Sequence, residues 1–120
     1  MTKHLELHRA LRADLSRDDV AALRREVRAH FESLVRLQEK QELLAVDLAE
    51  LLCVRLELLL DAAPSLAADV RADIVGAARY FISAQDAVPD DRACVGLDDD
   101  VAVFNHVVRQ MERIDLEIVE

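Results

Sequence analysis

Aromatic residues and backbone-bending residues are scarce in this chain. It has no tryptophan, one tyrosine and three phenylalanines, with only two glycines and two prolines among 120 residues. Sheets need β-branched and aromatic residues in their strands and glycine or proline in their many turns. Leu, Ala and Val dominate a hydrophobic fraction of 52%, which favours helices. The sequence therefore predicts an all-α protein, a compact bundle of four or five helices, with residues 1–120 forming a single domain.

Long apolar runs and paired cysteines are also missing. The chain has no stretch of 18 or more uncharged apolar residues, so no transmembrane helix is predicted. The N-terminal segment lacks the uninterrupted apolar core of a signal peptide, which makes the cytoplasm the expected location. Cys53 and Cys94 lie far apart and form no CxxC motif, so both are interpreted as free thiols.

Basic residues are outnumbered by acidic ones, 15 to 24, which gives a formal net charge of −9. Such a charge repels nucleic acid and favours basic protein partners or cations. The sequence has no Gly-rich phosphate loop, no Ser-His-Asp arrangement and no Glu-x-x-His pattern. We therefore expect no nucleic-acid ligand and no cofactor, and we predict no catalytic residue; a non-catalytic protein is favoured over an enzyme.

The histidines offer little chemistry on their own. His4 and His8 are four residues apart and could share a metal ion, but a pair near a terminus is interpreted as plain surface. His30 and His106 are single and are interpreted as solvated residues or residues at the edge of the bundle.

Helical periodicity is clear in four segments. Ser16 and Asp19 have the spacing of a capping box, and the apolar residues after them recur every three or four positions, as on one face of a helix. Pro64 ends a second helical segment and Ser65 can cap the next. Each of the last two predicted helices has one apolar face that is expected to be buried. The first face runs from Leu66 to Phe81 and the second from Val101 to Ile118. Whether the first of the four continues through residues 38–42 is left open.

The segment from residue 43 to residue 61 is apolar over most of its circumference. Its acidic residues fall in one narrow stripe, and a helix of this kind must be buried on several sides. It is either the central helix of the bundle or the seam of a homodimer, and both interpretations stay open. The candidate interface residues are Leu44, Leu48, Leu51, Leu52 and Leu59.

Six aspartates crowd the stretch from Asp86 to Asp100, which we interpret as the loop between the last two helices. Pro89 would fix a turn and Gly96 would take a positive φ, while Asp98 or Asp99 would be the N-cap of the last helix. Three interpretations stay open. In the first the aspartates are only caps and turn residues, in the second they contact a basic partner, and in the third they are ligands of a divalent cation. The partner-contact candidates are Asp86, Asp90, Asp91, Asp99 and Asp100, and the metal-ligand candidates are Asp86, Asp90, Asp99 and Asp100.

The order of residues in this stretch resembles the signature of the YkvA-like bacterial proteins, a family defined as a domain of unknown function. The resemblance covers about residues 75–110. Ala84, Asp91 and Asp98 depart from the pattern, which is proline or apolar at these positions. The resemblance implies a helical domain and no established activity. The matching residues are Tyr80, Ser83, Asp86, Val88, Pro89, Asp90, Gly96, Asp99 and Asp100.

We expect a non-catalytic protein–protein interaction module that dimerises or docks on a basic partner through the acidic loop. One alternative is a metal-dependent enzyme or sensor that uses the aspartates at 86–100. The other is an acidic immunity or antitoxin-like protein, which the net charge permits.

Overall fold

Five α-helices make up most of the chain in this computed structural model. The structure describes residues 3–41, 46–87 and 93–118, and it describes side chains within 3–36, 47–82 and 97–118. No strand occurs in these ranges, so the predicted all-α bundle is confirmed. Two 3₁₀ turns, Ala63–Ser65 and Ile114–Leu116, follow the third and fifth helices. The helices are α1 (Lys3–Leu11), α2 (Arg17–Gln41), α3 (Val46–Ala62), α4 (Ala68–Ala87) and α5 (Ala93–Gln110).

The start of α2 is the one that the sequence predicts. The Ser16 hydroxyl accepts a hydrogen bond from the Asp19 backbone N–H at 3.2 Å, which satisfies one of the donors that every helix start leaves open. The helix then continues through residue 41, so its backbone is unbroken over residues 38–41. Its predicted inward face is confirmed, because Val20, Leu23, Val27, Phe31 and Leu34 are all buried.

Helix α3 packs against α2, α4 and α5, whereas α4 contacts all four other helices. Helix α3 ends just before Pro64, as expected from the missing N–H of proline. Its Cys53 is a buried free thiol, and burial raises the pKa of this thiol to about 11, so it stays protonated and unreactive at neutral pH. The bundle core forms where Leu52, Leu56 and Leu60 meet residues of the other helices.

Helices α4 and α5 pack against each other, and α1 lies across both of them. Ile74, Ala78 and Phe81 of α4, and Phe104 and Val107 of α5, are fully buried or nearly so. In the ranges that the structure describes, no helix has the length and apolar character needed to cross a membrane.

The last helix ends earlier than its periodicity predicts. α5 stops at Gln110, because the chain reverses at Glu112, which has a φ of 61° in the left-handed region. The Arg113 N–H then donates to the Val108 carbonyl at 2.8 Å, which closes the helix end. As a result Ile114, predicted to face inward, is 67% exposed, whereas Ile118 folds back and is buried.

Candidate functional site

The acidic stretch is shorter as a connection than the sequence suggests. α4 extends to Ala87 and α5 begins at Ala93, so the predicted loop boundaries at Asp86 and Asp100 are wrong. Asp86 belongs to the last turn of α4, and Gly96 is a helical residue in the first turn of α5, not a turn residue of positive φ. Pro89 lies outside the described residues, as do Asp90 and Asp91.

The predicted N-cap at Asp98 or Asp99 is wrong for the same reason, since α5 starts five residues before Asp98. Glycine in a helix costs about 1 kcal/mol relative to alanine. Tertiary packing outweighs that cost here, because Leu97, directly after Gly96, is fully buried.

Two of the candidate aspartates, Asp99 and Asp100, have described side chains, and they do not share an environment. Asp99 is exposed and lies 3.8 Å from the Nδ1 atom of His4 in α1. Asp100 is buried, at 2% exposure. Neighbours in a helix point about 100° apart, which accounts for the difference. Burial, followed by the negative charges of these two aspartates, raises the pKa of Tyr80 to about 12, so this phenol stays protonated.

No group of three or more His, Cys, Asp or Glu side chains with the arrangement of a metal site occurs among the residues that the structure describes. The side chains of Asp86 and Asp90 lie outside that part of the chain. The metal hypothesis for the four aspartates therefore stays a prediction.

The leucines predicted as an interface are mostly part of the core. Leu52 and Leu59 are 0% and 2% exposed, so the prediction that they are interface residues is wrong. Leu48 and Leu51 are half-buried and pack against the same core, while Leu44 lies outside the described residues. The reason is that three helices surround α3, so its widest apolar face is covered within one chain.

Among the described side chains of α3, the exposed large apolar ones are Val54 and Leu58, at 49% and 52%. The sequence carried a signal for them. Val54 lies seven residues, or about two turns, from both Asp47 and Asp61, and these two aspartates are exposed. Val54 and Leu58 thus interrupt the polar stripe itself, which is the face of α3 that solvent reaches.

These two residues form a groove with the C-terminal part of the chain. Val54, Leu58 and Leu116 line it, and its volume is about 340 Å³. We call it the α3 groove. Arg55 fixes its C-terminal wall, because its Nη1 atom donates to the carbonyl oxygens of Leu116 and Glu117 at 2.5 and 2.9 Å. The charged residues at its rim are Arg24, Arg55, Glu57 and Asp61.

The two rim carboxylates of α3 are paired with arginines of α2. Glu57 accepts two hydrogen bonds from Arg28, at 3.1 Å from Nε and 2.5 Å from Nη2. The Nε atom of Arg24 lies 2.8 Å from a carboxylate oxygen of Asp61. Glu57 itself is 7% exposed. These pairs leave an apolar groove with a rim of nearly balanced charge.

A second feature is a buried histidine, which the sequence analysis missed. His8 is 3% exposed, not a surface residue. Its Nε2 atom lies 2.9 Å from the Asp73 carbonyl oxygen, so the ring proton is on Nε2 if the ring is neutral. Burial lowers the pKa of His8 below its ordinary value. The ring of His106 stands edge-on to it, with centroids 6.1 Å apart.

Comparison with protein-family models, with curated proteins and with solved structures found no match for this chain. The resemblance to YkvA-like proteins therefore stays a prediction that rests on the quoted residues alone.

Proposed function

We propose that the protein is a non-catalytic interaction module that self-associates through the α3 groove. The exposure of Val54 and Leu58 carries this proposal. Val54 and Leu58 lie one turn apart on α3, and each is about half exposed. They leave apolar surface in contact with water, and a partner that covered this surface would remove it from water. Burial of one such side chain stabilises a complex by roughly 1.5–3 kcal/mol before the costs of association.

The rim charge favours a second copy of the chain over a basic partner. The molecule carries a net charge of −9, yet the rim has two arginines, Arg24 and Arg55, against Glu57 and Asp61. A surface of balanced charge has no electrostatic preference for a basic protein. It can meet a copy of itself without strong like-charge repulsion, because the rim carboxylates Glu57 and Asp61 are already neutralised by arginines of α2 within each chain.

The dimensions of the groove suit a two-fold contact. α3 has 17 residues, which makes it about 25 Å long. In an antiparallel contact of two α3 helices, each Leu58 faces the Val54 of the other copy. The exposed Ile114 in the C-terminal turn extends the apolar surface beyond the groove. A stable interface needs roughly 800 Å² per partner, so the contact has to extend beyond Val54 and Leu58 to this turn and to the polar residues around the groove.

Sedimentation velocity of the wild type and two matched variants tests the proposal. We expect the wild type to approach twice the chain mass of 13.5 kDa as its concentration rises. Leu58→Glu should weaken the dimer by at least about 100-fold, because it buries an unpaired carboxylate in an apolar contact. Leu7→Glu is the control, since Leu7 is also an exposed leucine, at 47%, but lies on α1; it should dimerise like the wild type.

A wild type that stays monomeric at every concentration, or a Leu58→Glu variant that dimerises normally, would rule out this surface. Salt separates the two partner classes that the sequence leaves open. Both copies are acidic, so raising NaCl from 50 to 500 mM should preserve or strengthen self-association. Docking of a basic protein on the acidic surface would weaken over the same range.

The other expectations stay proposals. A YkvA-like relationship implies a helical domain, which is compatible with the fold, and adds no activity. The cytoplasmic location rests on the sequence; a buried, protonated thiol at Cys53 is compatible with a reducing compartment.

A further inference from the structure

A cleft opens where α1 crosses α4 and α5, on a different set of helices from the α3 groove. Its volume is about 240 Å³, near the lower end of the roughly 300–1,000 Å³ typical of small-molecule sites. It adjoins a second cleft of about 450 Å³, and the two share His106. We call the first one the α1 cleft. Its polar lining residues are His8, Arg9, Arg12, Asp73, His106 and Gln110.

The lining of this cleft has the opposite charge from the molecule. It carries two arginines and one carboxylate, whereas the chain as a whole has 24 acidic and 15 basic residues. Three of the four histidines of the chain line this cleft or the one beside it. A concave, locally positive surface on an acidic protein concentrates small anions.

One arginine of the lining is available for a ligand. Arg12 is committed, because its Nε atom lies 2.5 Å from Asp73 and its Nη2 atom donates to the Asp69 carbonyl at 3.3 Å. Arg9 is exposed, and no ion pair or hydrogen bond to its side chain is seen within the described ranges. Since Asp73 is neutralised by Arg12, the Arg9 guanidinium is the charge left uncompensated.

Further donors face Arg9 from across the cleft. The amide of Gln110 and the ring of His106 come from α5, while Arg9 comes from α1. Donors on two sides of a cleft match the tetrahedral oxygens of phosphate better than the two oxygens of a planar carboxylate. An arginine beside neutral donors is also a common way to hold a phosphate group.

We infer that the α1 cleft binds a small phosphate-bearing anion, with Arg9 as the charged anchor and Gln110 and His106 as donors from the opposite side. Binding would require no rearrangement of the core, because His8 and Arg12 are already held by α4. The site is independent of self-association, because its residues lie on α1, α4 and α5.

Titration of the full chain with inorganic phosphate, followed by NMR of the histidine ring signals, tests this inference. We expect saturable shifts of the His106 and His8 signals, and none with chloride at equal ionic strength. Arg9→Gln should weaken binding by about ten-fold or more, since it removes a charge-assisted hydrogen bond. Arg25→Gln makes the same charge change at an exposed position of α2 and should bind like the wild type.

Arg9→Gln should keep the wild-type melting temperature, because Arg9 is exposed and loses no ion pair or hydrogen bond to a residue that the structure describes. Non-saturable shifts, equal binding by Arg9→Gln, or equal weakening by Arg25→Gln would each overturn the inference. Tighter binding of succinate than of phosphate would overturn the assignment to phosphate. Sedimentation velocity of Arg9→Gln should show the same dimerisation as the wild type. This measurement distinguishes a failure of phosphate binding from a failure of self-association through the α3 groove.

Discussion

At the scale of single residues, Glu57 shows how an acidic side chain is accommodated at 7% exposure. Its two oxygens face the two donors of Arg28, and Arg24 lies 3.8 Å away on the same side. The arginine side chains remain about 40% exposed, so their charges keep most of their hydration. The pair thus avoids the full cost of a buried ion pair while leaving no carboxylate oxygen without a donor.

We expect Glu57→Gln to lower the free energy of unfolding by about 1 kcal/mol, measured by urea denaturation. The value lies between those of exposed ion pairs, roughly 0–1 kcal/mol, and of hydrogen bonds to charged groups, roughly 1.5–3 kcal/mol. Asp115→Asn is the control: Asp115 also accepts two hydrogen bonds from one arginine, Arg113, but both side chains are more than half exposed. An equal loss in both variants would mean that burial adds nothing to the Glu57 pair.

At the scale of helices, α1 can lie against α4 because residue 76 has no side chain. A Cβ atom at Gly76 would be 2.9 Å from Cδ2 of His8 and 3.0 Å from Cγ of Arg12. Polar contacts to main-chain oxygens then hold α1: His8 binds the Asp73 carbonyl, and Arg79 of α4 donates to the Leu11 carbonyl at 3.3 Å. The position of α1, and with it the α1 cleft, depends on this close approach.

We expect Gly76→Ala to destabilise the protein, although alanine favours a helix by about 1 kcal/mol over glycine. The added methyl meets a buried imidazole that its hydrogen bond to the Asp73 carbonyl holds in place, and overpacking of this kind costs roughly 1–3 kcal/mol. In a His8→Ala background the imidazole is gone and the remaining obstacle, Cγ of Arg12, belongs to a flexible side chain that can shift, so the same substitution should become stabilising. Thermal melts of the wild type, Gly76→Ala, His8→Ala and the double variant measure the effect of Gly76→Ala in both backgrounds. A loss of stability in both backgrounds would contradict this account.

The sequence predicts the helices better than their contacts. The Ser16 cap and the buried face of α2 follow from residues within a few turns of each other, and both are confirmed. The burial of His8 could not be predicted in this way. It depends on the close approach of α1 to α4, which Gly76 allows from 68 positions further along the chain. The acidic stretch failed for another reason: its Asp, Pro and Gly residues have strong turn preferences, yet Gly96 is helical because the packing of Leu97 outweighs them.

The exposed apolar surface of α3 could have been found from the sequence, but the candidate interface was placed on other residues of this helix. The width of the apolar face suggested an interface made of leucines, whereas that width reflects three helices packed around one. The informative positions were the apolar residues inside the polar stripe, Val54 and Leu58.

At the scale of the whole molecule, His8 makes stability depend on pH in the neutral range. Its folded pKa is lowered below 6.5, first by burial and then by His106 and Arg12, against the opposing hydrogen bond and charge of Asp73. Between the folded pKa and 6.5 the unfolded chain binds a proton that the folded protein does not. Stability therefore rises with pH in this window, and it is lost as the pH falls below about 6.5.

We expect the free energy of unfolding of the wild type, measured by urea denaturation, to be lower at pH 5.5 than at pH 7.5, by at most about 1.4 kcal/mol per pH unit for this one proton. His8→Gln keeps a donor for the Asp73 carbonyl but has no proton to gain, so its free energy of unfolding should vary less over the same pH range. Equal pH dependence in the two proteins would show that His8 does not set it.

The short C-terminal segment joins the two surfaces of the molecule. The amide of Asn105 both donates to and accepts from the backbone of Ile118, at 3.0 and 2.8 Å. Ile118 lines the cleft next to the α1 cleft, while Leu116, two residues earlier, lines the α3 groove. The same short segment thus forms part of the wall of the α3 groove and part of the wall of the cleft beside the α1 cleft. A displacement of this segment would therefore change the wall of the α3 groove and the wall of the cleft beside the α1 cleft at the same time.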